Sequence, residues 1–101
     1  MSPRRACSVD ANQSEIADAF RRLGWDVIDT HAVGQLIPGF PDLIVISDQE
    51  DIPIEVKMPG ARLTLAERWF AASHPYWRPV VVRSIDDVLE LSGMSGRTEE
   101  V

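Results

Sequence analysis

Three side chains near the middle of this chain have the types and spacing to act together: Asp42, Glu55 and Lys57. Asp42 opens the run Leu43-Ile44-Val45-Ile46-Ser47, while Glu55 and Lys57 lie in Ile52-Pro53-Ile54-Glu55-Val56-Lys57, where Ile52, Ile54 and Val56 take alternate positions. Successive side chains of an extended strand point to opposite faces, so Glu55 and Lys57 share one face and the apolar residues the other. If the two segments form a hairpin across Asp48-Gln49-Glu50-Asp51 with Ser47 opposite Ile52, Asp42 falls opposite Lys57 and Ile44 opposite Glu55. Asp42 and Glu55 are then diagonal neighbours, roughly 7 Å apart at the backbone and within reach of one cation. Two carboxylates, with water and a substrate phosphate in the remaining positions, suit Mg²⁺ or Mn²⁺, which take hard oxygen ligands and keep part of their hydration shell. Nothing in the pattern indicates zinc. Such an ion would polarise a phosphoryl oxygen and help form hydroxide, while the Lys57 ammonium would orient the attacking water or offset developing negative charge.

The flanking patterns supply elements to hold these groups. Residues 1–11 read as a loose tail, and Asn12 with Glu15 forms a capping box for a first helix over about 13–23. Ile16, Ala19, Phe20 and Leu23 recur at helical spacing on one stripe, and Gly24 stops the helix. Residues 25–30 are rich in strand formers, and 31–41 is a connection punctuated by Gly34, Pro38, Gly39 and Pro41. The almost continuously apolar run 42–47 predicts a central strand covered on both faces, followed by the strand 52–57. After Pro59-Gly60, Thr64 with Glu67 forms a second capping box and opens a helix through about Ser73. A fourth strand over 79–83 and a last helix from Ser84 with Asp87 to near Gly93 complete the order α-β-β-β-α-β-α. This is an α/β chain with one domain over 12–93, no internal repeat or linker, and a second loose tail at 94–101.

Composition bounds the function. A chain of 101 residues, 45% hydrophobic and 26% charged, can bury a core without disulfides, and no apolar run approaches the ~20 residues of a membrane span. A membrane protein is excluded on this reading. Basic residues at the start are not followed by an apolar stretch, so no secretion signal is read and a cytoplasmic location is expected; the lone Cys7 is expected to be an inert thiol. The net charge of −6 opposes strong non-specific binding to nucleic acid. Carboxylates that hold a cation contribute to that total and are neutralised when the ion arrives. Arg21, Arg22, Lys57, Arg62, Arg68, Arg78 and Arg83 could still line one surface.

At the chemistry-bearing residues the chain resembles a known family. Gly39-Phe40-Pro41-Asp42 followed by Ile54-Glu55-Val56-Lys57 resembles the PD and ExK motifs of the PD-(D/E)xK nuclease superfamily. Pro59-Gly60-Ala61-Arg62-Leu63-Thr64 continuing into a helix with Trp69 is similar to the VRR-NUC branch, and within it to small stand-alone phage and bacterial members. The resemblance runs from about the first helix to the last. Each motif is short, and it is their order, spacing and placement on predicted strands that make the combination specific. It implies a restriction-endonuclease-like αβββαβ core with a central mixed sheet flanked by helices. It also implies a Mg²⁺- or Mn²⁺-dependent DNA endonuclease, with junction or branched-DNA cleavage known among relatives, and pairing into a homodimer. By the same resemblance Asp42, Glu55 and Lys57 are catalytic, and Asp42, Glu55 and Val56 hold metal together with Glu15, an accessory acid on the first helix. One departure stands out: relatives commonly carry glutamine where this chain has Glu67, which places a further negative charge, and a candidate accessory group, near the site.

Plainer readings stand beside these. Asp42 and Lys57 could be a simple cross-strand ion pair, and Glu15 and Glu67 are each accounted for as capping-box partners. His31, Arg62 and Arg68 are candidate DNA contacts or solvated side chains. Trp69, spaced with Leu65 and Ala72, reads as core, as do Trp25 and Trp77. The functions left open are the enzyme, a catalytically weak or inactive descendant that binds nucleic acid or a protein partner, and a domain that gains DNA affinity only with a partner or as an oligomer.

Overall fold

The strands β1 (Asp26–Asp29), β2 (Leu43–Ile46), β3 (Asp51–Val56) and β4 (Val80–Val82) form one mixed sheet in that spatial order. β1–β2 and β2–β3 are antiparallel, and β3–β4 is parallel. This computed structural model describes residues 9–94 and adds the helices α1 (Val9–Arg22), α2 (His31–Leu36), α3 (Leu65–Ser73) and α4 (Ile85–Met94). Parallel neighbours cannot be joined by a tight turn, so the chain needs a crossover between β3 and β4, and α3 provides it. The α/β class, with a four-stranded mixed sheet and flanking helices, is as the sequence pattern anticipates.

One face of the sheet is the core. Leu43 and Val45 of β2, Ile54 and Val56 of β3 and Val82 of β4 alternate onto it, and Ile16 and Phe20 of α1, Trp25 and Val88 of α4 close it. Phe20 meets Trp25 edge to face at 5.9 Å, and the Trp25 indole N–H donates to Ser92 Oγ at 3.1 Å, so the indole is satisfied where it is buried. Since these residues take one alternation phase, Glu55 takes the other and faces away from α1.

Several elements depart from expectation. α1 begins at Val9, inside the expected tail, and Asn12 lies within it. Asn12 Nδ2 donates to the Lys57 carbonyl at 3.4 Å, so this side chain spends its hydrogen bond on the end of β3 instead of capping a helix with Glu15. The remainder of the two expected tails, Cys7 included, lies outside the described residues. Within the connection 31–41 a short helix, α2, forms behind Asp29, whose carboxylate accepts the His31 N–H at 2.8 Å. Trp69 is not core. It is 66% exposed and Leu65 is 75% exposed, because α3 turns Phe70 inward instead, against Phe40 and Trp77 with ring centroids 5.4 and 6.3 Å away. Trp25 is buried as expected, and Trp77 is half-buried in that aromatic group. No helix among the described residues is long and apolar enough to cross a membrane.

Candidate active site

The end of the β2–β3 hairpin brings the predicted acids together. The ladder pairs Leu43 with Ile54 and Ile44 with Pro53, two residues away from the expected register. An even shift leaves every side chain on its face, so Asp42 and Glu55 still emerge together, now as adjacent rather than diagonal positions. The turn causes the shift. Ser47 N–H donates to Glu50 O at 2.8 Å, and Ser47 Oγ accepts from the N–H groups of Gln49 and Glu50 at 3.1 and 3.2 Å, which draws Ser47 out of the strand and into the turn.

Asp42 is held on several sides. Its N–H donates to Ile54 O and its carbonyl accepts from the Thr30 N–H, both at 3.0 Å. The Val56 N–H donates to Asp42 Oδ2 at 2.9 Å. Thr30, 4% exposed, donates its hydroxyl to Pro41 O. Burial, opposed by the Val56 N–H, raises the Asp42 carboxyl above its ordinary value.

Glu55 is the anomaly. It is 1% exposed, and neither carboxylate oxygen meets a hydrogen-bond donor among the described residues. Its neighbours are instead the carboxyls of Asp42 and Glu67; burial first, then the Asp42 charge and Glu67, push its carboxyl up to about 10. An ionised carboxylate buried without a partner costs several kcal/mol, so this one must take up either a proton or a cation.

Lys57 follows β3, and its Nζ lies 2.7 Å from Glu67 Oε1, with the two side chains only 14% and 17% exposed. The expected capping box of α3 is present. Glu67 Oε1 accepts the Thr64 N–H at 2.8 Å, and Thr64 Oγ1 accepts the Glu67 N–H at 3.1 Å. Burial tends to raise the Glu67 carboxyl, but Lys57 and the Thr64 N–H outweigh it and hold it below its ordinary value. α3 is in turn set against the motif loop. Gly39 has φ +83°, and a Cβ there would lie 2.2 Å from Ala66 O, so only glycine allows this approach.

Asp42, Glu67, Thr30, Thr64 and His31 line a cleft of about 250 Å³ at one side of this cluster, while Glu55 and Lys57 are not among its lining residues. A larger cleft of about 470 Å³, between α1 and the corner of β1 and α2, touches none of the clustered acids or Lys57 and contributes nothing to their chemistry. Of the other predicted groups, Val56 has no side-chain donor and could reach a cation only through its carbonyl. Glu15, expected among the metal ligands, is exposed on α1 and lines neither cleft. His31 is exposed at the cleft rim with its ring 3.4 Å from Gln35 Nε2, and Arg62 and Arg68 are exposed. Arg83 serves the scaffold: its guanidinium donates to Met58 O at 3.0 Å and Ala61 O at 2.6 Å, fixing the loop behind Lys57.

One feature is not reached by reading motifs. Thr30 gives no signal in the sequence, since its partners are backbone groups of a distant loop. Lys57 does give one: it is the only lysine in the chain, the other nine of its ten basic residues being arginine. Among the described residues no set of three or more His, Cys, Asp or Glu side chains forms a ready metal cage. Asp42 and Glu55 are a two-acid set, however, and two hard anionic donors completed by water and carbonyl oxygen fit Mg²⁺ or Mn²⁺. No family model, curated protein or solved structure matches this chain.

Proposed function

We propose that this chain is a Mg²⁺- or Mn²⁺-dependent DNA endonuclease that hydrolyses phosphodiester bonds of branched or duplex DNA, with Asp42, Glu55 and Lys57 as its working groups. The observation that carries the reading is the buried, donorless carboxyl of Glu55 beside Asp42 and two residues before Lys57. A merely structural hairpin would bury an apolar side chain there, because a buried acid without a partner destabilises the fold. Asp42 and Glu55, with the Val56 carbonyl, would hold the cation, which when bound supplies a Lewis acid for a phosphoryl oxygen and lowers the pKa of water. Thr30 and the Val56 N–H keep the Asp42 carboxylate aimed at Glu55. Lys57, whose ammonium pairs with Glu67 at 2.7 Å, would orient water or offset charge on the phosphate. The strand order, the mixed sheet and the α3 crossover are the features that support a restriction-endonuclease-like core. Pairing of two copies belongs to the same proposal, since one small acidic subunit offers little surface to a branched duplex.

The test is incubation of purified protein with labelled branched and linear DNA in Mg²⁺, Mn²⁺ or chelator, beside Asp42→Ala and Lys57→Ala. Cleavage is expected only with metal and only in the wild type. Tight binding with no cleavage under any condition would favour an inactive nucleic-acid-binding descendant, and equal cleavage by both variants would place the chemistry elsewhere.

A further inference from the structure

Building on the proposed hydrolysis, we propose that Glu67 is the positioning residue for Lys57, its carboxylate fixing the ammonium while its capping role fixes the carboxylate. Capping needs only an acceptor at this position, and a glutamine would serve the box as well as a glutamate. The charge of Glu67 is therefore surplus to the helix, and it is unfavourable to the ionised forms of Glu55 and Asp42, which stand beside it. What uses the charge is Lys57, 2.7 Å away.

The amine has reason to need such an anchor. A lysine carries its charge on a flexible four-carbon stem, whereas arginine presents a rigid fork, and this chain uses arginine at every basic position but one. With both side chains mostly shielded from water, the ion pair is weakly screened by salt. The anchor is itself referenced to the acids. Gly39 of the motif loop lies against Ala66 and Glu67 at backbone distance, so the start of α3, the Glu67 carboxylate and the loop that delivers Asp42 form one rigid piece. Geometry set at Asp42 is thereby handed to the ammonium of Lys57.

The single lysine makes the test specific. Protein grown with ε-¹⁵N-lysine carries one side-chain ammonium label, and a pinned, shielded ammonium exchanges its protons slowly enough to give a ¹H–¹⁵N cross-peak. That peak is expected in the metal-free wild type and in Thr64→Ala, which breaks the capping box but keeps the charge. It is expected to vanish by fast exchange in Glu67→Gln, which keeps the box but loses the charge. In cleavage assays, Glu67→Gln is expected to lower kcat roughly 10- to 100-fold with KM little changed, the effect of a misplaced catalytic group. A cross-peak that persists unchanged in Glu67→Gln overturns the assignment, as does a KM effect without a kcat effect. If wild-type protein cleaves nothing while the peak still depends on the Glu67 charge, the nuclease reading fails and the anchoring of Lys57 stands.

Discussion

Glu55 sets the demands at the scale of the residue. In the folded, metal-free chain it keeps a proton that the unfolded chain releases above about 4.5, because its folded value is pushed up to about 10. Folding therefore binds a proton at neutral pH. The stabilisation is complete below the unfolded value and is lost as pH climbs toward the folded one, by at most about 1.4 kcal/mol per pH unit for a single group. Asp42, also raised, acts in the same direction. Glu67, lowered, acts oppositely: its stabilisation is present above its unfolded value and is lost as pH falls through its folded value. Glu55→Gln, which has no charge to bury, is expected to make the metal-free protein more stable than wild type at pH 8, with the gap closing below pH 4.5. Urea denaturation from pH 4 to 9 checks this, and a gap independent of pH would show that Glu55 meets a donor or a cation after all. The identities of the acids and the amine were legible as types and spacing. Their coupling to Glu67 was not, since it depends on how a crossover helix lies on the sheet.

At the scale of the element, the hairpin and α3 divide the work of aiming. Thr30→Val removes the hydroxyl that satisfies Pro41 O in a buried site and is expected to cost about 1–3 kcal/mol, read as a lower urea midpoint. Gly39 and Gly60 offer a matched comparison, because both have positive φ, +83° and +84°, but only Gly39 faces backbone atoms where a Cβ would go. Gly60→Ala bears only the conformational strain, about 1–3 kcal/mol at most. Gly39→Ala adds displacement of α3 and is expected to be clearly more destabilising in the same melts; equal effects would mean that the loop and α3 move freely past one another. Element types were legible where the signal was local, as in the Thr64–Glu67 box or the alternation of Ile52, Ile54 and Val56. Where two local readings competed, tertiary contacts decided. Asn12 could cap or could reach the Lys57 carbonyl, α3 had two apolar stripes, and Ser47 could extend β2 or close its turn. The parity of the strands survived the register error, and for that reason the acids were placed on the right face.

At the scale of the whole molecule, a net charge of −6 and an acid-rich cleft make the free protein poorly disposed toward a polyanion. A bound divalent cation reverses the local sign, so DNA affinity is expected to depend on metal as strongly as catalysis does, and to weaken only shallowly with monovalent salt because few basic groups neutralise phosphates. Fluorescence anisotropy of labelled duplex at several salt concentrations checks both; a steep salt slope without metal would point to a basic interface elsewhere. The central claim is that Asp42 and Glu55 share one cation, and its most direct measurement is calorimetric titration of Mn²⁺ into wild type, Asp42→Asn and Glu55→Gln. The expected result is saturable binding to the wild type, with a heat that varies with the ionisation enthalpy of the buffer because Glu55 gives up its proton, and no saturable binding to either variant. Equal binding by all three proteins, or none by the wild type, would contradict it.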